Sequence, residues 1–281
     1  GQTSMYLLGD CYLKTYDKKS ARNAFGICAD MTYNEGQQEA SMILYAKISY
    51  EMGYNDDALR QLNTLVKTFP RTHYKDEANT IISDLLIKTN NYTEALKHLD
   101  EVKTKDEHFR QVYQKANFGQ AVLQYRDGDL KSAYGFLLLS LKYPVNAEYE
   151  AAAHFWKGEI AYQQHQYADA ITYSKEFINK KVNKTQLERT SPQATSQHAY
   201  LTMGYAAMEQ EQFSDAQNYF SQAQQLNSKD PHSETIAAVL EADAVFMQRN
   251  YAFATLLYDK IINRDPVNAD YARYQKSILL G

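Results

Sequence analysis

An alanine recurs along the chain at intervals of 37, 37, 38, 37, 46 and 38 residues. A turn-like stretch precedes each alanine, and a small residue stands twelve positions before it, as Gly204 does before Ala216. Apolar residues on both sides of the turn recur with a period near 3.6, which indicates two amphipathic helices per unit. Because one helical hairpin cannot bury its own apolar face, these units must stack on one another. The seven alanines are Ala21, Ala58, Ala95, Ala133, Ala170, Ala216 and Ala254.

The composition argues against several classes of protein. Lys and Arg number 30 against 34 Asp and Glu, and the net charge of −4 disfavours binding to nucleic acid through its phosphates. The longest nearly unbroken apolar run, residues 134–141, is far shorter than the roughly 20 residues of a membrane-spanning helix. Two cysteines, Cys11 and Cys28, cannot form a disulfide framework. They fall in one hairpin, either as two buried thiols or as a bonded pair.

No catalytic motif occurs in the sequence. It has no glycine-rich phosphate-binding loop, and no two of its seven histidines stand three or four residues apart, as a zinc-binding pair on a helix would. The acidic residues Asp127 and Asp129 lack the twelve-residue pattern of a calcium loop, and we expect them to form a hairpin turn with Gly128. The sequence therefore predicts a protein that is not an enzyme and that needs no metal or cofactor.

The order of these residues resembles the tetratricopeptide repeat. In residues 200–223 a glycine, Gly204, is followed after twelve residues by Ala216 and after four more by Phe220, and prolines such as Pro70, Pro144 and Pro266 close several units. The resemblance covers about residues 3–266. It implies an all-α fold, a right-handed superhelical α-solenoid of about seven helix-turn-helix repeats plus a C-terminal helix.

We expect a single solenoid domain over residues 1–281 with two irregular segments. The 46-residue interval places a long polar inter-repeat loop at about 180–197, which either is solvated without a role or contacts a partner or the groove through its basic residues. Residues 269–280 read as an amphipathic helix with Tyr271, Tyr274 and Ile278 on one side. This helix either caps the array or opens an eighth unit, and in the second case the chain is a fragment of a longer protein.

One joint between units carries a second resemblance. Residues 67–78, Lys-Thr-Phe-Pro-Arg-Thr-His-Tyr-Lys-Asp-Glu-Ala, are similar to repeats in bacterial cell-envelope proteins of the outer-membrane-assembly and Tol–Pal-associated type. This shorter match implies a location in the periplasm or cell envelope.

The family resemblance also implies a binding surface, because the first helix of each unit lines a concave groove there. With the recurring alanine counted as position 20, positions 5 and 12 point into the groove and positions 2, 9 and 13 lie beside them. Of the fourteen residues at positions 5 and 12, thirteen are apolar or aromatic. These rings either form a ladder for a partner or pack helix against helix. The predicted partner-binding residues are Tyr50, Phe118, Tyr125, Phe155, Glu159, Tyr162, Tyr205, Met208, Asp243 and Phe246.

The function expected from this surface is a non-catalytic scaffold that binds a protein or peptide. In its C-terminal half the flanking positions carry Glu159, Glu209 and Asp243 and no cation, so we expect a ligand with an apolar segment and basic flanks. A self-assembly element of a cell-envelope complex and a glycan-binding surface are the alternatives. The sequence leaves the oligomeric state and the identity of the partner open.

Overall fold

The computed structural model describes residues 1–226, 231–264 and 267–280, without the side chains of 231–234 and 280. These residues form sixteen α-helices and no strand, which confirms the predicted all-α fold. The helices are α1 (Gln2–Lys14), α2 (Lys18–Ala29), α3 (Glu35–Glu51), α4 (Asn55–Thr68), α5 (Lys75–Lys88), α6 (Tyr92–Asp100), α7 (Glu107–Arg126), α8 (Leu130–Ser140), α9 (Ala147–Gln163), α10 (Tyr167–Asn179), α11 (Lys184–Thr190), α12 (Ser196–Glu209), α13 (Phe213–Gln225), α14 (Pro231–Met247), α15 (Tyr251–Arg264) and α16 (Ala269–Leu280).

Seven helix-turn-helix repeats follow one another in the described residues, each with a recurring alanine in its second helix. They are α1–α2, α3–α4, α5–α6, α7–α8, α9–α10, α12–α13 and α14–α15, while α11 and α16 stand outside these pairs. The second helix of one repeat packs against the first helix of the next, as α2 does on α3 and α13 on α14. This is the repeat packing of an α-solenoid. Pro266, predicted to close a unit, lies outside the described residues.

The chain divides into two compact units, residues 1–120 and 121–281, with the boundary inside α7. The single domain over residues 1–281 stays a prediction.

The core of each repeat is built at three recurring positions. All seven alanines at position 20 are fully buried. Where position 8 is a glycine, at Gly9, Gly158 and Gly204, it lies against the residue at position 24 of the second helix. Position 24 is at most 2% exposed in every repeat. At Gly204 this approach is so close that a Cβ atom would lie 2.3 Å from the ring of Phe220. A small side chain at position 8 is therefore required by the packing of the two helices.

The first helix of every repeat ends in the same way. The residue five positions before the recurring alanine has a φ between +57° and +83°, the left-handed region that closes a Schellman motif. The next N–H donates to a carbonyl five residues back, as Gln212 N does to Ala207 O at 2.9 Å. These turns confirm the predicted breaks between helices, including the turn at Asp127–Asp129. The left-handed residues are Tyr16, Gly53, Asn90, Gly128, His165, Glu211 and Arg249.

Three expectations need correction. Cys11 and Cys28 are both free, and Cys11 is exposed, because only Cys28 faces the interior of its hairpin. The segment expected to be a polar loop contains the helix α11, which packs against α9.

The C-terminal helix also differs from the expectation. The expected apolar side of α16 is exposed by 40% at Tyr271 and 63% at Tyr274. This helix instead buries Ala269 and Ala272, because small side chains let it approach α15 closely.

Replacing the left-handed Glu211 by glycine should stabilise the protein. Glu211 is exposed, and an L-residue pays a steric penalty in this conformation that glycine does not. We expect Glu211→Gly to raise the free energy of unfolding by about 0.5–1 kcal/mol. Relief of the backbone strain stabilises the variant, and the greater entropy of its unfolded chain offsets part of that gain. Gly128→Ala, at the same position of the fourth repeat, should lower it by a similar amount. Urea denaturation measures both changes in the free energy of unfolding. If the two variants are both stabilised or both destabilised, the left-handed conformation at these positions is wrong.

Alanine at two helical glycines should have opposite effects. Gly204→Ala places a methyl group against Phe220 and should lower the free energy of unfolding by about 1–3 kcal/mol. Gly135→Ala, in α8, meets no atom within 4 Å and should raise it by about 0.5–1 kcal/mol through helix propensity alone. A stabilised Gly204→Ala variant in thermal or urea unfolding would show that the two helices are not in close contact.

Candidate binding surface on the first helices

Positions 2, 5, 9 and 12 lie on one side of each first helix, because they are separated by three, four or seven residues. We call this side the first-helix face. The sequence placed all ten predicted binding residues on it, at positions 5, 9 and 12. In residues 1–120 they are Tyr50 and Phe118, and the other eight fall in residues 121–281.

Two of the ten residues belong to the core. Phe118 is 4% exposed and Phe155 is 1% exposed. The ring of Phe155 packs edge-on against Phe177 of α10 and His198 of α12, with centroids 5.4 and 5.3 Å apart. Position 5 therefore joins neighbouring helices in this repeat, and these two phenylalanines present no surface to a partner.

The remaining eight residues are half-buried. Two tyrosines at position 12 contact position 9 of the following repeat. Tyr50 donates a 2.5 Å hydrogen bond to Asp84, and the rings of Tyr162 and Tyr205 lie 6.2 Å apart. The hydroxyl of Tyr125 accepts a hydrogen bond from Gln163. Within each unit, this arrangement leaves part of each ring accessible on the first-helix face.

A second polar contact recurs between position 9 of one repeat and position 2 of the next first helix. In residues 1–120 it joins Lys47 to Glu77 at 2.6 Å and Asp84 to Lys115 at 3.7 Å. In residues 121–281 it joins Glu159 to His198 at 3.1 Å. This contact is not evident from any single repeat of the sequence, because its two residues lie in consecutive repeats.

The contact at Glu159 is a small network. Thr202 donates a hydrogen bond to one carboxylate oxygen, and Nε2 of His198 lies 3.1 Å from the other. The hydrogen bond with Glu159 raises the pKa of His198, against the opposite effect of burial. Both carboxylate oxygens of Glu159 thus have partners within the chain, and its side chain is only 14% exposed.

Asp243 is held in a similar way by two tyrosines. The hydroxyl of Tyr258 donates to one oxygen at 2.6 Å, and that of Tyr271 donates to the other at 2.9 Å. Burial raises the pKa of the Asp243 carboxyl, and it also raises the pKa of Tyr271, to about 12. Of the three acidic residues that the sequence assigned to ligand recognition, only Glu209 is exposed.

The C-terminal helix continues the register of the first helices. Tyr271 donates to Asp243, which is at position 9 of the preceding repeat. Tyr271 therefore corresponds to position 2, since position 2 makes this contact in earlier repeats. In this register Ala272 occupies position 3, where five of the seven repeats also carry a buried alanine. Tyr274 and Ile278 then occupy positions 5 and 9. Within residues 121–281 the first-helix face therefore extends onto α16.

Among the described residues, no three His, Cys, Asp or Glu side chains are grouped so that they could hold a metal ion. None of the helices in the described ranges combines the length and apolarity needed to cross a bilayer. Tyrosines with half-exposed rings and satisfied hydroxyls offer apolar contact area at a low entropic cost.

Comparison with known proteins identifies a repeat family in part of the chain. Residues 201–269 match the model of the tetratricopeptide repeat. No curated protein sequence matches the chain.

Solved structures extend the comparison to the fold. The C-terminal part of a TPR repeat-containing protein from Cytophaga hutchinsonii is 15% identical, with 94% of this chain and 97% of that chain covered and a TM-score of 0.51. BtubC from P. vanneervenii is 18% identical over 86% of this chain and 92% of its own, with a TM-score of 0.49. The TPR2AB domain of yeast Sti1, solved in a complex with pHSP90, is 17% identical over 99% and 96%, with a TM-score of 0.46.

The Cytophaga structure establishes a shared fold and no more, given its low identity. The described chain therefore has the helix-turn-helix fold of an α-solenoid, and its residues 201–269 match the tetratricopeptide repeat.

Proposed function

We propose that the protein is a non-catalytic scaffold that binds a protein or peptide segment on its first-helix face. The observation that carries this proposal is the row of half-buried aromatic and apolar side chains at positions 9 and 12. In residues 121–281 it comprises Tyr125, Tyr162, Tyr205, Met208 and Phe246. Large, rigid side chains that remain partly accessible are the usual anchors of protein interfaces. Tetratricopeptide repeats generally mediate protein–protein interactions, which agrees with this assignment.

The proposed ligand differs from the one that charge alone suggested. The half-buried carboxylates of Glu159 and Asp243 already accept hydrogen bonds within the chain, so they are less available for direct contact with a basic ligand. The proposed ligand binds mainly through apolar contact with the rings. Any attraction for its basic flanks comes from the exposed Glu209. The cell-envelope location rests on the similarity of residues 67–78 and stays a prediction, as do self-assembly and glycan binding.

Removing two anchors should weaken capture of the natural partner. In Tyr162→Ala/Met208→Ala, the loss of apolar contact at two half-buried positions should reduce the partner recovered from an extract of the source cells at least about tenfold. The matched control is Leu138→Ala/Leu139→Ala, which removes exposed leucines from the second helix α8. Quantitative mass spectrometry of captured proteins makes the comparison. Equal recovery by both variants, with circular dichroism showing both folded, would refute the proposed face.

The pair of Glu159 and His198 should make part of this face sensitive to pH. The pKa of His198 is raised in the folded protein, so the pair's stabilisation is complete below the unfolded value near 6.5 and is lost as the pH rises through the folded value. Glu159→Gln replaces the carboxylate, whose hydrogen bond and negative charge raise the pKa of His198, by a neutral amide and leaves the opposing effect of burial. NMR titration of the imidazole should therefore show a lower pKa in this variant. The control Glu211→Gln, an exposed carboxylate of the hairpin turn, should leave the titration of His198 unchanged.

A further inference from the structure

The inserted segment between α10 and α12 is much longer than the other connections between repeats. It runs over residues 180–195, whereas residues 30–34 join α2 to α3 and residues 69–74 join α4 to α5. A solvated connection of this composition needs no buried residues. Yet Leu187, Ser191 and Ala194 are 7%, 3% and 4% exposed. The insertion is therefore docked on the protein.

The docking site is on α9. The helix α11 packs against α9, and the indole N–H of Trp156 donates a 3.0 Å hydrogen bond to the hydroxyl of Ser191. This bond is buried, and Trp156 itself is 8% exposed. The hydrogen bond to Ser191 and the buried aliphatic side chain of Leu187, one turn earlier, thus hold the insertion on α9.

Trp156, at position 6 of its repeat, adjoins the surface proposed for partner binding. It lies three and seven residues before Glu159 and Gln163, so the three side chains share one side of α9. Its ring also contacts Tyr125, with centroids 4.7 Å apart, and Gln163 donates to the hydroxyl of that tyrosine. The insertion consequently covers the edge of the first-helix face, at the tryptophan that contacts Tyr125.

The helical form of α11 depends on this docking. Seven residues are too few for a stable isolated helix, even with the cap that Asn183 provides by accepting from the N–H groups of Thr185 and Gln186. Leu187 is its only buried residue. Its cations Lys184 and Arg189 stay exposed. The segment therefore has the features of a short bound peptide: a single apolar anchor, a hydroxyl one turn later and basic residues on the outer side.

We propose that the insertion is an intrachain ligand of the first-helix face and that the external partner binds at Trp156 by displacing it. The partner is then a protein segment of the same character, a short helix with an aliphatic side chain, a hydroxyl side chain four residues later and basic flanks. This inference rests on the scaffold function proposed above and deepens it, because it names the site and the competing segment. A tethered competitor at millimolar effective concentration keeps the site closed to weak ligands.

Trp156 reports directly on this docking, since it is the only tryptophan of the chain. We expect Leu187→Asp to release α11, which shifts the fluorescence of Trp156 to longer wavelength and increases its quenching by acrylamide. Gln186→Asp introduces the same charge at an exposed neighbouring position of α11 and should leave both signals unchanged. If Leu187→Asp does not alter the fluorescence while the protein stays folded by circular dichroism, α11 does not cover Trp156 and the inference fails.

Binding in trans tests the displacement. A variant lacking residues 183–191 keeps a connection of seven residues between α10 and α12, enough for the spacing found in other repeats. A synthetic peptide of residues 180–195 should bind this variant and restore the fluorescence of Trp156. The wild-type chain, with the site occupied, should bind the peptide roughly tenfold or more weakly. Equal affinity for both chains, or no binding to the variant, would overturn the proposal.

Two further controls separate the possible failures. If the deletion prevents folding, Leu187→Asp takes its place in the peptide titration. A peptide with Leu187→Asp should not bind either protein. These measurements need no natural partner, so the capture experiment on Tyr162 and Met208 can fail while docking of the insertion holds, and the reverse is equally detectable.

Discussion

The close approach of two helices around position 8 is the constraint on which the rest of the structure depends. The second helix lies so close to Gly204 that a side chain there would collide with the ring of Phe220. A fully buried alanine at position 20 completes the contact in every repeat. Since each hairpin buries only part of its apolar surface in this way, the remainder is covered by neighbouring repeats, and the hairpins stack. The first-helix face is what this stacking leaves accessible.

Polar groups on that face are satisfied within the chain before any partner arrives. Asp84, Glu159 and Asp243 each accept hydrogen bonds or lie in ion pairs with residues of adjacent repeats. An unpaired buried carboxylate would be costly, so these contacts allow acidic residues at half-buried positions. Together they also join successive first helices. Charge on the face therefore serves mainly to hold repeats together, and its rings remain the principal surface for binding.

The insertion shows how a regular array can acquire an individual feature. Its length breaks the 37-residue spacing, and its helix α11 buries Leu187 and packs against α9, the helix that carries the only tryptophan. Neither property disturbs the repeats on either side, because the insertion lies between the second helix of one and the first helix of the next. A site that is covered by a short segment of its own chain can be opened without unfolding the array.

The sequence by itself determined the repeats, their seven turns and their core positions. These follow from local rules: the period of the apolar residues, the small residues at fixed spacing and the chain reversal between helices. It did not determine which aromatic rings are accessible. Phe155 and Tyr162 occupy equivalent-looking positions on one helix, yet the first is sealed by α10 and α12 and the second is half-exposed. Burial, the pairing of charges one repeat apart and the docking of α11 on Trp156 depend on contacts between segments distant in sequence, and only the tertiary structure brings those segments together.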